Sequence, residues 1–425
     1  MDISYERRHS RWYEKILLGM SFQLLIGLPV IICAPAINRW GWDFWMYLPD
    51  VRVNTLAAIG GAFLIIVFSL RRLLKFPGVK VVAYIAPTVT ICFLISMAIL
   101  FFARERYSRQ VLFTGYLLSM LWFFSGYFIG LRYRRLKLAV IPVGQALNLL
   151  PTSNIELRYL KQPTLNRVRV DGIVADLHDE GLTAEWEKFL AKCTLSHIPV
   201  YHIKQIKESI TGRVEIEHLS ENAFGTLLPS PMYSFFKRVA DIALVLIILP
   251  LTLPVMLITA IIIKLDSPGP VFFTQDRVGQ GNRSFKIYKF RSMAKDSESN
   301  GARLAQSNDM RITRIGRFIR KTRLDEFPQF YNVLRGDMSL IGPRPEQRAF
   351  VDLFEEQIPF YIYRHVVKPG ITGWAQVVHG YASDADDTRI KIQHDFYYIK
   401  NFSFWLDVLI VFKTIKTLLT GFGAK

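Results

Sequence analysis

Four apolar runs fill the first third of the 425-residue chain: Ile16–Ala34, Val53–Leu70, Val81–Phe102 and Val111–Leu131. Each approaches the ~20 residues that a helix needs to cross a hydrocarbon layer. A polypeptide with four such runs is committed to a membrane before any other feature is read. Ala34 and Ala36 resemble a signal-peptide cleavage site, but the run is long and three similar ones follow, so an uncleaved anchor is expected. The flanking cations set an orientation. Arg7, Arg8, Arg11 and Lys15 precede the first run; Arg71, Arg72, Lys75 and Lys80 separate the second from the third; Arg132, Arg134, Arg135 and Lys137 follow the fourth. Between the first two runs stand only Arg39 and Arg52, while Arg104, Arg106 and Arg109 blur the contrast without reversing it. The expected result places the N-terminus and everything after residue 135 in the cytoplasm. Trp40, Trp42, Trp45 and Tyr47 then lie at the outer interface.

The chain is 51% hydrophobic yet carries a formal charge of +18. Basic and apolar together point to a membrane protein that works beside anionic headgroups or on phosphorylated substrates. Nucleic acid is not indicated, because no recognition helix, zinc-finger spacing or aromatic single-strand platform is visible. Cys33, Cys92 and Cys193 show no paired spacing, so neither a disulfide framework nor a zinc site is implied.

Residues 136–230 change character. Leu138–Val143, Val168–Asp176 and Ile198–His202 read as short buried strands, with a helical pattern around Thr183–Cys193. This alternation predicts a small α/β domain with a parallel sheet. A dinucleotide fold requires a Gly-x-Gly-x-x-Gly turn after its first strand. Here only Gly144 is present, so the phosphate cradle is missing and the domain reads as degenerate. A spacer, regulatory or oligomerisation role, including a homodimer formed through it, is the expectation.

From Pro231 a third region begins. Lys237, Arg238 and Asp241 lead into an apolar stretch that ends at Lys264 and is interrupted by Pro250 and Pro254. Its length suits a fifth spanning helix, but crossing would carry the basic C-terminal region out of the cytoplasm. Proline removes a backbone donor and kinks a helix. A re-entrant hairpin that enters and leaves on one side is therefore the favoured reading. Freed backbone groups at its turn still need partners.

Downstream, Gly, Pro and cations recur where rigid anion-binding loops would lie. Ser267-Pro268-Gly269-Pro270 leads into strand-like Val271–Thr274, then Gln275–Gly279 and Phe285–Arg291. Alternation sets Lys286 and Tyr288 on one strand face and Lys289 and Arg291 on the other, a pattern that an exposed edge strand explains equally well. Arg311, Arg314, Arg317, Arg320 and Arg323 form a ladder that runs into Asp325-Glu326. Such a stripe is usually a solvated face, and it also suits lipid phosphates. Adjacent helical residues point about 100° apart, so the two carboxylates need not share a role. One could attack phosphorus while the other positions a metal or a reacting group. Pro343 and Pro345 fix the backbone around Arg344, which lowers the entropy cost of holding its guanidinium against a phosphate. Arg364-His365 and Lys368–Gln376 form another cation-rich, restricted turn.

These blocks resemble the bacterial sugar transferase family, the monotopic phosphoglycosyl transferases. The likeness runs in order through nearly all of residues 231–425: the Lys237-Arg238 entry, the proline-broken hairpin, Phe285–Met293, Leu324–Gln329, Asn332–Pro345 and Lys368–Val377. The helices and degenerate α/β domain upstream look like the larger members, similar to undecaprenyl-phosphate glucose or galactose phosphotransferases. The resemblance implies a fold of three parts. These are a four-helix transmembrane bundle (1–135), a cytoplasmic Rossmann-like α/β domain (136–230), and a mainly α monotopic catalytic domain with a re-entrant membrane hairpin (231–425). It implies transfer of hexose-1-phosphate from a UDP-sugar to undecaprenyl phosphate, with Mg²⁺, at the cytoplasmic face of the bacterial inner membrane. UMP leaves, and exopolysaccharide, capsule or O-antigen synthesis is initiated. Asp325 matches the family's nucleophile, which forms a phosphosugar-aspartyl adduct and is also the expected metal ligand. Glu326 matches its dyad partner. Lys289, Arg320 and Arg344 match basic active-site positions expected to bind phosphate, with Arg364 and Asp395 as lesser candidates. Glucose and galactose are the favoured sugars, with N-acetylated ones as the further option. One departure is that Leu249 and Leu253 precede the two prolines where the family often has Ser-Pro. The amphipathic Phe402–Leu419 is expected to pack on the domain or lie on the membrane.

Two other readings compete. Asp384-Ala385-Asp386 spells the Asp-x-Asp motif of metal-dependent glycosyltransferases, although Gly380-Tyr381-Ala382-Ser383 before it does not read as a strand. A membrane scaffold or nucleotide sensor built on the helices and the α/β domain is the non-enzymatic alternative.

Overall fold

The computed structural model describes residues 19–73, 75–77, 79, 81–133, 136–149, 155–165, 170–215, 229–293, 311–380 and 385–420. Arg7, Arg8, Arg11, Lys15, Lys80, Arg134, Arg135 and Asp384 lie outside them, as does the start of the strand expected at Val168. The chain divides into two compact units, one ending at Gly212 and the other beginning at Arg213. Among the described residues five helices are long and apolar enough to cross a membrane.

Four of these helices stand in the first unit: α1 (Met20–Trp40), α2 (Asp50–Leu73), α3 (Val81–Phe102) and α4 (Arg109–Tyr133). Ile31, Ile59, Phe63, Ile66, Ile85, Val89 and Val111 form their common core. The opposite faces are equally apolar, with Leu94, Ile95, Phe101, Phe113 and Leu121 exposed. A helix that is hydrophobic all round belongs in lipid or in a large core. The indole of Trp122 donates to Gln23 Oε1 at 2.7 Å, which gives two polar groups in this apolar setting a mutual partner. Trp42, Trp45 and Tyr47 lie exposed on the loop between α1 and α2.

The same unit holds a four-stranded sheet, β1 (Leu136–Val140), β2 (Ile155–Tyr159), β3 (Gly172–Ala175) and β4 (Val200–His202), in the order β2-β1-β3-β4. All its pairings are parallel. Alternate residues supply both faces. Ala139, Ile173 and Ala175 pack with Phe189 and Leu190 of α5 (Ala184–Leu195), while Leu138, Val140 and Val174 pack with Ile203 and Ile206 of α6 (Ile203–Thr211). A parallel sheet covered on both sides explains the short continuous apolar runs of β1 and β3. Sequence reading missed β2. It is an edge strand in which Glu156 and Arg158 alternate with apolar residues, so no buried run marks it.

The second unit opens with α7 (Pro231–Asp266), a single 36-residue helical element that contains Pro250 and Pro254. Thr252 Oγ1 donates to the carbonyls of Ile248 and Leu249, which partners backbone oxygens near the prolines. Antiparallel strands β5 (Phe272–Val278) and β6 (Ser284–Phe290) follow. Next come α8 (Arg314–Lys321), α9 (Gln329–Arg335), β7 (Ser339–Ile341), α10 (Arg348–Gln357), β8 (Gly370–Thr372), α11 (Trp374–Val378), α12 (Ala385–Lys400) and α13 (Phe404–Thr420).

Both ends of α7 are tied to this unit. Near its start, Arg238 donates to the carbonyls of Val333 and Leu334, Ser339 Oγ donates to Asp241 at 2.7 Å, and Val245 packs on Ile287, Val333 and Met338. Near its end, Ile263 packs on Phe290 and Ile319. Just beyond it, Arg291 donates to the carbonyls of Ser267 and Pro268 at 2.7 Å each. Arg291 therefore clamps the chain where α7 stops, although the strand alternation had grouped it with Lys289. Between these anchored ends the helix exposes Ile247, Leu251, Leu257, Ile258 and Ile261.

β7 and β8 pair in parallel at Ser339↔Gly370 and Ile341↔Thr372, which brings the Gly342 and Gly370 backbones together. A methyl group at Gly370 would overlap the Gly342 amide nitrogen and stand 2.6 Å from the Thr372 carbonyl oxygen. Neither backbone atom can rotate away. Gly370→Ala is therefore expected to cost about 3 kcal/mol by overpacking. The check is a clear fall in the thermal midpoint of the detergent-solubilised protein, while Gly61→Ala, where nothing lies within 4 Å, stays near the parent.

Candidate active site

A cavity of about 1040 Å³ in the second unit is lined by α7, the β5–β6 hairpin, the turn after α8, the loop after β7, and α12 and α13. Phe273, Gln275 and Arg277 of β5 line it together with Lys289 of β6, the cross-strand partner of Phe273. Thr274 and Asp276 alternate outward, while Phe272 stacks on Phe290 at the cavity wall.

The arginine ladder divides. Thr313 caps α8 by accepting the Gly316 N–H at 2.9 Å, and the helix then carries Arg314 and Arg317 to solvent. Arg311, Arg320 and Arg323 face the cavity. A spacing of three drifts around a helix of 3.6 residues per turn, so five cations at that spacing do not share one face. Arg320 Nη1 is buried with no hydrogen-bond partner, so a cationic donor waits at the cavity wall.

After α8 the chain reverses at Arg323, a non-glycine residue held at φ 58°. Such a conformation is uncommon and persists where the surroundings enforce it. It leads directly into the short turn of helix Leu324–Glu326 and aims both carboxylates at the cavity. Their environments then separate them. Glu326 is buried and takes Arg344 Nη1 at 3.1 Å and Arg323 Nη1 at 3.6 Å on the same oxygen. Burial alone would raise its pKa, but Arg344, Lys289 and Arg323 more than offset that and hold it below the ordinary glutamate value. Asp325 moves the other way. Burial first, and the charge of Glu326 second, push it up to about 6 against the pull of Lys289, Arg344 and Arg323. Its Oδ1 is buried with no hydrogen-bond partner. Desolvation, followed by Arg344, lowers Lys289 to about 8, although Glu326 and Asp325 act in the opposite sense. One carboxylate is thus locked as an ion-pair partner, while its neighbour is left more basic and unencumbered. This is the condition a carboxylate nucleophile needs.

The remaining expected residues fall into a second layer. Arg364, on the turn Tyr361–Val366, is 4% exposed and donates to Tyr361 Oη at 2.7 Å, the Arg344 carbonyl at 2.8 Å and Asp395 at 3.0 Å. Its guanidinium braces the backbone of Arg344, with Asp395 as counter-ion. Sequence reasoning did not single out Glu346 or Lys391. Glu346 takes Lys391 at 3.0 Å and Arg277 at 3.7 Å, and these cations hold it well below the usual carboxylate range. Glu346 follows the Pro343-Arg344-Pro345 block, which is a usable signal; Lys391 lies on α12 with no local mark. Of the rival Asp-x-Asp motif, Ala385 and Asp386 open α12, and Asp384 lies outside the described residues.

Residues 232–421 match the family model described as bacterial sugar transferase. Over 423 residues, all of both chains, the protein is 60% identical to the UDP-N-acetylgalactosamine-undecaprenyl-phosphate N-acetylgalactosaminephosphotransferase of Aeromonas hydrophila. It is 44% identical over 182 residues to the UDP-glucose:undecaprenyl-phosphate glucose-1-phosphate transferase of Escherichia coli K12, which covers 42% of this chain and 39% of that one. A protein of the same name from Klebsiella pneumoniae is 34% identical over 286 residues, 66% of this chain and 58% of the relative. With its paired carboxylates in a cationic cavity inside the matched region, the chain belongs to the bacterial sugar transferase family.

Proposed function

We propose that this protein transfers N-acetylgalactosamine 1-phosphate from its UDP-sugar to undecaprenyl phosphate and releases UMP. The reaction takes place on the cytoplasmic side of the inner membrane, a side supported by the cation-rich flanks of the apolar runs, and it initiates a surface polysaccharide. The observation that carries the reading is the divergence of Asp325 and Glu326 within one cationic cavity. The choice of sugar follows the Aeromonas relative, which matches from end to end, whereas the Escherichia glucose transferase matches over the C-terminal part. This shifts the expectation from glucose or galactose to the N-acetylated option.

Asp325 attacks the sugar-bearing phosphorus of the UDP-sugar. A carboxylate–phosphorus bond forms, the diphosphate bridge breaks, and UMP departs. An oxygen of the lipid phosphate then attacks the same phosphorus, displaces Asp325 and closes the new diphosphate. Splitting one displacement into two lets a soluble donor and a lipid acceptor use one site in turn. Glu326 keeps a negative charge beside Asp325 and so maintains its basicity, and Arg344 makes that charge tolerable in a buried position. Lys289 and Arg320 face the cavity as cationic donors for the phosphates. The partnerless Asp325 Oδ1 suits a hard divalent cation, and Mg²⁺ held there would neutralise charge on the diphosphate.

The membrane part of the proposal is a re-entrant α7. Val245 and Ile263 pack against Ile287 and Phe290, which lie three residues apart on β6, a distance of about 10 Å along a strand. On a straight helix their 18-residue separation spans about 27 Å. A bend near Pro250 and Pro254 reconciles these distances and leaves the exposed apolar middle in the lipid.

Asp325→Asn is expected to lower UMP release by about 10³-fold or more, and Glu326→Gln by about 10–100-fold. The assay presents a UDP-sugar panel, Mg²⁺ and undecaprenyl phosphate. Full activity in the Asp325 variant would sink the assignment, and release of UDP in place of UMP would indicate direct glycosyl transfer. A second expectation concerns pH. Lys289 is cationic below its lowered pKa of about 8 and neutral above it. UMP affinity should therefore be full at pH 7 and weaken as pH rises through 8, and Lys289→Arg should remove that limb. Titration of UMP binding across this range provides the measurement.

A further inference from the structure

The α/β domain of the first unit gathers a second set of chemical groups, unrelated to the transferase cavity. Asp176 follows β3, His178 lies in the turn after it, and His202 ends the adjacent parallel strand β4. In sheets of this kind ligands sit beyond the carboxyl ends of the strands, and all three residues lie at that edge. His178 Nδ1 stands 2.9 Å from His202 Nε2, and His202 Nε2 stands 3.6 Å from Asp176 Oδ1. The three candidate ligand atoms all lie within 4.8 Å of one another. Bonds of about 2.0–2.2 Å at tetrahedral angles place neighbouring ligands about 3.3–3.6 Å apart. The observed spacings bracket that range.

The surroundings orient the set. Asp176 is buried, and its other oxygen, Oδ2, accepts the Gln145 N–H at 3.1 Å from the turn after β1. That turn depends on Gly144 at φ 54°, where any side chain would run into the carboxylates of Asp179 and Asp176. A backbone donor on one carboxylate oxygen leaves the second directed at the imidazoles, the kind of support that ligand carboxylates receive in metal sites. Gly144 read in the sequence as the remnant of a lost phosphate cradle. In the structure it makes room for Asp176 and Asp179.

We propose that Asp176, His178 and His202 form a site for a borderline divalent cation of the zinc type, with its fourth position open on the exposed His178 side. Two imidazoles and one carboxylate suit such an ion better than Mg²⁺, which prefers an all-oxygen set. One consequence is specific to this geometry. His202 Nδ1 accepts the Lys204 N–H at 3.0 Å and so caps α6. A metal on Nε2 places the ring proton on Nδ1, so loading the site gives up that cap. Occupancy is thereby coupled to the first turn of α6.

The test uses the full chain in detergent, purified without a histidine tag, stripped with chelator and titrated with Co²⁺ in excess Mg²⁺. The expected result is one Co²⁺ per chain with visible ligand-field absorption, displaced by Zn²⁺, and faster amide exchange at Lys204 on loading. His178→Ala, a substitution in an exposed turn that does not threaten folding, should weaken binding by about tenfold or more. Asp176→Asn should do the same, and His197→Ala in the same domain should leave binding unchanged. Equal Co²⁺ affinity in the parent and His178→Ala, or no stoichiometric ion in the parent, would overturn the proposal and leave a metal-free hydrogen-bonded histidine pair.

Discussion

Two carboxylates next to each other in sequence, both withdrawn from bulk water, repel one another unless something takes the charge of one. Arg344 does this for Glu326 at 3.1 Å, with Arg323 adding a longer contact at 3.6 Å. Unit charges 4 Å apart interact by about 4 kcal/mol where the effective dielectric is near 20. Removing Arg344 would therefore raise the cost of keeping both carboxylates ionised, with Lys289 and Arg323 left as the cations beside them. With Arg344 in place, Glu326 stays ionised, and its field adds to the burial that raises Asp325 toward neutrality. The asymmetry of the dyad thus combines burial with cations outside it, the foremost of which, Arg344, stands on a separate loop.

That loop is itself held from behind. Pro343 and Pro345 limit its backbone, and Arg364 donates to the Arg344 carbonyl from a buried position that Asp395 and Tyr361 Oη make tenable. A buried arginine is tolerable only when paired and hydrogen-bonded, and three acceptors meet that requirement here. The transferase cavity therefore has layers: carboxylates, the cations that touch them, and a buried arginine that sets where one of those cations stands.

Much of this was legible in the chain because the signals are local. Apolar runs of the right length identified the membrane helices, and the spacing of prolines, glycines and cations identified the blocks around Asp325. What escaped depends on contacts distant in sequence. Arg364 looked like a phosphate ligand because it is a cation in a restricted turn, and its counter-ion lies 31 residues away on α12. The arginine ladder looked uniform, yet the helix carrying it ends at Lys321 and Arg323 reverses the chain, so only part of it faces the cavity. Strand β2 carried no apolar run because, among the described residues, it stands at the edge of the sheet. The cluster of Asp176 with His178 and His202 forms when two parallel strands align, and no linear spacing announces it.

Part of the charge of +18 also acquires a location. Among the described residues, ten cationic side chains line the transferase cavity against six carboxylates, and several of the ten are paired with those acids or with backbone carbonyls. The surplus is carried by groups such as Lys289, whose charge acts on Asp325, and Arg320 on the cavity wall. In a site partly shielded from water such a surplus is worth more than the same charges on an open surface. It favours a ligand that brings at least two negative charges, which both a nucleotide diphosphate and a lipid phosphate do. In the two-step reaction proposed above, the same cations would serve two anionic reactants in succession, and the adduct on Asp325 would let the first leave before the second arrives.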